Sequence, residues 1–201
     1  MRCFLAVELP GELRRSLGRL VGDLRACGAD VKWVRPEAIH LTLKFLGEIQ
    51  PGQVEEIRLA AREVAGRHQP FRMEARGLGG FPRLEQPRVV WVGLEGETWR
   101  LIALQRELEG ALTQLGFVRE QRPFTPHLTL GRIRSPKGRQ GLVDRLKSQE
   151  GLSVGSLTVG SIALFRSELL PSGARYTQLW EEVLSPVSLD QGEPPPGPGS
   201  V

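Results

Sequence analysis

Apolar residues alternate with polar ones over short runs and recur every three or four positions over longer ones, and the two periods take turns along the chain. Period-two alternation marks a strand with one face buried, and a period near 3.6 marks an amphipathic helix. Residues 2–8 therefore read as a strand, and 11–27 as a helix with Leu13, Leu17, Leu20, Val21 and Leu24 on one face. A strand is expected over 39–46, a helix over 52–66 and a strand over 71–78. The order then returns. Residues 88–94 alternate around Val90 and Val92, 98–115 are helical, 126–132 form a strand and 139–148 a short helix. Strands over 153–165 and 175–183 close the pattern.

That return is a duplication. His-Leu-Thr-Leu occurs at His40–Leu43 and again at His127–Leu130, 87 residues later, and takes two of the three histidines. Phe4-Leu5-Ala6-Val7 reads against Trp91-Val92-Gly93-Leu94, while Leu20, Leu24 and Gly28 match Leu108, Leu112 and Gly116 at an offset of 88. A one-residue insertion reconciles the two offsets. The chain reads as a repeated β-α-β-α-β unit whose two copies face each other across a pseudo-twofold.

The repeat sets an imidazole and a hydroxyl on one strand face, because residues i and i+2 of a strand point the same way. Two such pairs suit a phosphodiester held between His40 and His127. A neutral imidazole takes a proton from water while the other, protonated, gives one to the departing oxygen. The Thr42 and Thr129 hydroxyls can donate to non-bridging oxygens. Lys44 continues the i, i+2, i+4 face from His40, and a bulge at Gly131 would turn the Arg132 guanidinium inward. Arg134 lies two residues further on, where a surface position is the ordinary expectation. Phe45 and Tyr176 are candidates for stacking on a nucleobase, although a strand aromatic is more often core. His68, in Arg67-His68-Gln69-Pro70, reads as structural.

Composition narrows the partners. A net charge of +4, with lysine only at 32, 44, 137 and 147 and arginine at the other 23 basic positions, favours an anionic partner weakly. No apolar run reaches the length of a membrane span. The N-terminal run ends at Glu8, too soon for a signal peptide. Cys3 and Cys27 make neither a disulfide framework nor a metal spacing, so a cytoplasmic location is expected. Neither a cluster with metal-ligand spacing nor a Walker-type phosphate loop is present, and no metal or cofactor is expected. Residues 1–184 are expected to form one two-lobed domain, and the Pro/Gly-rich tail 185–201 to stay disordered and carry no chemistry.

The segments Trp33–Gly47 and Pro123–Arg132 around the two His-x-Thr-x motifs resemble the two-histidine (2H) phosphoesterase superfamily. Within it the chain is most similar to the prokaryotic RNA 2′,3′-cyclic phosphodiesterases, historically called 2′-5′ RNA ligases. Arg2–Pro10 resembles that family's opening, and Ser167–Leu169 with Gly173–Tyr176 its close; Gly173-Ala174 stands where relatives often have Gly-Pro. The resemblance implies an α+β fold, two pseudo-symmetric lobes whose antiparallel sheets line a central cleft with helices outside. It implies metal-independent hydrolysis of a terminal RNA 2′,3′-cyclic phosphate to a 2′-phosphomonoester, with His40 as proton donor and His127 as acceptor. RNA ends, tRNA fragments or nucleotides are the expected partners, and a monomer is the expected state. Reversible 2′-5′ ligation in the same cleft is the nearest alternative. A non-catalytic module for RNA ends or nucleotides is the more distant one, disfavoured because binding alone needs no pair of titratable groups.

Overall fold

A computed structural model of the protein describes residues 1–170 and 173–185. The expected tail, apart from Ser185, lies outside the described residues. The elements in chain order are β1 (Arg2–Val7), α1 (Gly11–Arg25), β2 (Val31–Trp33), a 3-10 turn (Pro36–Ala38), β3 (Leu41–Glu48) and α2 (Gln53–Ala65). β4 (Phe71–Phe81), β5 (Val89–Gly96), α3 (Thr98–Gln114), β6 (His127–Ile133) and α4 (Arg139–Lys147) come next. β7 (Ser153–Val159), β8 (Ser161–Leu170) and β9 (Gly173–Val183) end the described chain.

The strands join in the order β7-β4-β5-β6-β3-β1-β8-β9, with β2 paired to β6 and every pairing antiparallel. This order is symmetric about the β6/β3 joint, and the lobes exchange strands across it. β4, from the first half, pairs with β5 of the second, while β8, from the second, pairs with β1 of the first. One expectation fails for this reason. The single strand over 153–165 is two strands, because the chain leaves β4's lobe after Val159, turns at Gly160 and enters β1's lobe. The three-residue β2 and the 3-10 turn also lie below the length at which periodicity registers.

Alternation decides which face of the sheet the helices cover. Cys3, Leu5 and Val7 of β1 join the main core with the buried faces of all four helices, whereas Phe4 and Ala6 turn to the opposite face and cluster with Ala163 and Phe165. The lobes meet through one β3–β6 pair, Leu41 with Leu128, both fully buried. Everything placed beside those leucines is held by that joint.

Leu128→Ala leaves a void at this joint and is expected to cost about 2–5 kcal/mol. Urea unfolding measures it; a loss under about 1 kcal/mol, the ordinary size of a surface change, would mean the lobes are joined elsewhere.

Candidate active site

The Leu41–Leu128 pair fixes the register of the two motifs. In an antiparallel ladder the flanking positions then oppose one another, His40 with Thr129 and Thr42 with His127. All four lie on the face opposite the buried leucines. Directly opposed Cβ atoms sit roughly 5 Å apart and diagonal ones roughly 7–8 Å. A phosphate fits within such a square.

The same irregularity occurs in both motifs. β1 opposes β3 through Ala6–Thr42 and then Leu5–Lys44, which leaves Leu43 as an extra residue. β5 opposes β6 through Trp91–Thr129 and then Val90–Gly131, which leaves Leu130. This equates Ala6 with Trp91, two residues away from the match that the sequence suggests. An extra residue reverses the facing of the residues after it. Lys44, expected in the cleft, turns away and lies buried against Glu109 of α3, while Phe45 takes the cleft side, 68% exposed. At the second bulge Gly131 packs where a Cβ would stand 2.6 Å from Val31 Cγ1, and Arg132 lines the cleft.

The two imidazoles are held alike. His40 Nδ1 lies 2.9 Å from the Ala38 carbonyl oxygen, and His127 Nδ1 lies 2.7 Å from that of Thr125. A carbonyl only accepts, so each Nδ1 carries the proton and each Nε2 keeps its lone pair. The 3-10 turn at Pro36–Ala38 sets the first carbonyl, and the segment ending Thr125-Pro126 sets the second.

Their surroundings differ. His40 stacks on Phe4 at 4.5 Å between ring centroids and meets Tyr176 edge-on at 5.2 Å, with Phe165 behind. His127 meets Phe81 edge-on at 4.9 Å, with Trp91 at 6.3 Å. Burial among these rings disfavours the charged form and lowers the His40 pKa from 6.5 to about 4, against the pull of the Ala38 carbonyl. Burial also lowers that of His127, and the Arg132 charge adds to the effect. Burial raises the Tyr176 phenol, which stays neutral at pH 7.

A cavity of about 410 Å³ opens on the His40 side. Of the residues expected at a site, His40, Thr42, Thr129, Arg132, Phe45 and Tyr176 line it; Lys44 and His127 do not. His127 stands beyond Thr129, at the position across from Thr42. His68 instead faces Glu107 at 3.1 Å, and Arg134 does not line the cavity. The sequence reading missed Phe4, Phe165, Arg2, Lys32 and Arg35. Phe4 was legible, since it alternates with Cys3 and Leu5; the arginines carried no local signal. Among the described residues Arg2, Lys32 and Arg132 have no carboxylate partner, and the Arg35 guanidinium donates to the Ala174 carbonyl at 3.1 Å. Among the described residues, no group of three or more His, Cys, Asp or Glu is placed to hold a metal ion, and no helix is long and apolar enough to cross a membrane.

Known proteins are similar to this chain in sequence and in fold. The family described as LigT like Phosphoesterase matches the chain twice, over residues 7–91 and 92–176. An RNA 2′,3′-cyclic phosphodiesterase of Methanothermobacter thermautotrophicus is 39% identical over 180 residues, covering 89% of this chain and 96% of that protein. One of Aeropyrum pernix is 40% identical over 165 residues, covering 82% and 93%. Among solved structures, TT0787 of Thermus thermophilus superposes with a TM-score of 0.77 at 32% identity, covering 92% of this chain and 98% of that one. Escherichia coli LigT in complex with 3′-AMP superposes with a TM-score of 0.74 at 27% identity, over the same shares.

Both shifts have one sign. His40 binds its proton more weakly folded than unfolded, so its contribution to stability is full above 6.5 and is lost as pH falls through about 4. NMR titration of the free protein is expected to place His40 near 4 and His127 below 6.5, both neutral with the proton on Nδ1. A midpoint at or above 6.5 for either ring contradicts the enclosure described.

Proposed function

The chain belongs to the LigT-like phosphoesterases, and on that footing we propose that it hydrolyses terminal RNA 2′,3′-cyclic phosphates to 2′-phosphomonoesters, using His40 and His127 as acid and base and no metal. The observation that carries this reading is the repeated geometry: two imidazoles with the same tautomer, each across a strand from the other motif's threonine.

The cavity's one-sidedness supports the division of roles. Opening the ring to a 2′-phosphate breaks the P–O3′ bond, so the leaving oxygen remains on the nucleoside. The room for a nucleoside lies on the His40 side. His40 Nε2–H therefore gives its proton to O3′, while His127 Nε2 takes one from the water whose oxygen bonds to phosphorus. Thr42 and Thr129 donate to the non-bridging oxygens, and Arg132 offsets their charge. Phe45 and Tyr176 flank the base. The resting His40 is neutral at pH 7; the phosphodiester anion beside it favours the imidazolium, so substrate itself loads the acid.

RNA ends are the partners this reading names, and residues 1–184 acting as one two-lobed monomer fit the sheet that runs unbroken through both halves. The two free cysteines, Cys3 and Cys27, fit the reducing cytoplasm.

Product analysis on a cyclic-phosphate dinucleotide tests the reaction. A 2′-monophosphate is expected, with EDTA present or absent, and a 3′-monophosphate or a ligated product overturns the proposal. His40→Ala or His127→Ala should lower kcat by at least roughly 10²-fold with the fold retained. Thr42→Ala or Thr129→Ala should cost about 1–3 kcal/mol of transition-state stabilisation. Near-normal rates in either histidine variant contradict the assignment. Because the bound anion raises both histidine pKa values, the bell for kcat should stand at higher pH than that for kcat/KM; coincident bells contradict substrate loading of the acid.

A further inference from the structure

Lys44 and Glu109 form an ion pair behind the first motif, at 6% and 5% exposure, and neither touches the cavity. Burying two charges is costly, and an apolar pair of the same volume is often as stable or more so. The sequence nevertheless places the charges here, and their further bonds lead to both motifs. Lys44 Nζ donates to the Val118 carbonyl at 2.8 Å, and the Glu120 amide donates to Glu109 Oε1 at 3.0 Å. Val118 and Glu120 lie in the segment that runs on to Thr125 and His127. On the other side, Gln105 Nε2 donates to Glu109 Oε2 at 3.2 Å and reaches the carbonyl of Leu43, the bulge residue itself, at 3.5 Å. The Thr113 hydroxyl donates to the Glu109 carbonyl at 2.7 Å and ties the same turn of α3 together.

We infer that Lys44, Glu109 and Gln105 are positioning residues that clamp the bulge after Thr42 to the segment carrying the Thr125 carbonyl, so that His127 is aimed at the phosphate His40 holds. This rests on the two-histidine reading. The sequence's own spacing gives the reason: between the end of α3 at Gln114 and His127 no regular element holds the chain. Phe117 and Phe124 pack this segment against the core, and the clamp adds the polar tie between its backbone and the first motif. An apolar pair would fill the same space but would leave the Val118 carbonyl and Glu120 amide without these partners. Charge is kept where two backbone groups of an irregular segment need a donor and an acceptor at one point.

Three variants test the clamp on the cyclic-phosphate dinucleotide, with wild type alongside: Lys44→Met, Glu109→Gln, and Lys44→Met with Glu109→Met. Lys44→Met strands a buried carboxylate and is expected to lower both Tm and kcat. The double variant removes that stranded charge and should recover Tm, yet kcat should stay down by roughly 10²-fold, the scale of a small misplacement at a reacting centre, with KM moved far less. Glu109→Gln keeps one acceptor oxygen for Lys44 Nζ and the Glu120 amide but leaves the Lys44 charge unpaired, so it should lower Tm while keeping more of kcat than the double variant. In the NMR spectrum the His127 Nδ1–H resonance should broaden in the double variant while that of His40 stays sharp. Recovery of kcat together with Tm in the double variant, or an unchanged His127 resonance, overturns the inference. A wild type without turnover fails the two-histidine reading instead, and the NMR comparison still decides whether the clamp holds His127.

Discussion

The two halves of the sheet join through a single β3–β6 ladder pair of buried leucines, and the geometry of the proposed site depends on where that pair falls. Leu41 opposite Leu128 brings the motifs together antiparallel, so each histidine faces the other copy's threonine. A slip of either strand by one residue would send that strand's imidazole into the core, because strand neighbours alternate faces. Both leucines are fully buried, which is what holds the register. The bulges just beyond, at Leu43 and Leu130, put Phe45 and Arg132 onto the cleft face. Register and bulge together convert a repeated tetrapeptide into one site.

Symmetry supplies the matching parts, and departures from it give them different surroundings. Both rings donate Nδ1–H to a carbonyl two residues back, yet His40 lies among Phe4, Phe165 and Tyr176, whereas among the described residues the rings that His127 meets are Phe81 and Trp91. The cavity opens toward the more enclosed ring. A strict pseudo-twofold would make the two rings interchangeable; the aromatic floor on one side breaks that equivalence. The charge pattern has the same asymmetry, with Arg2, Lys32, Arg35 and Arg132 gathered at the cavity.

Much of this was legible in the chain. The apolar periods located the four helices and most strands, and the repeat located the two motifs, because each rests on a local pattern. The features that escaped depended on contacts between distant segments. Lys44 was placed in the cleft by counting alternate residues, and the count failed at the Leu43 bulge, which exists only because β1 pairs with β3 in that register. The break at Gly160 escaped because it reflects a change of partner strand rather than of local pattern. Arg35 reaches Ala174 across 139 residues of chain, a contact with no sequence signature.

In the proposed reaction both Nε2 atoms address one phosphorus from opposite sides. A crystal structure of the protein with a nucleoside vanadate, whose five-coordinate vanadium mimics phosphorus under attack, measures this directly. Each Nε2 is expected at roughly 2.6–3.2 Å from opposite apical oxygens of the same vanadium, with the nucleoside on the His40 side. One imidazole out of reach of that centre, or both on a single face of it, would contradict the account.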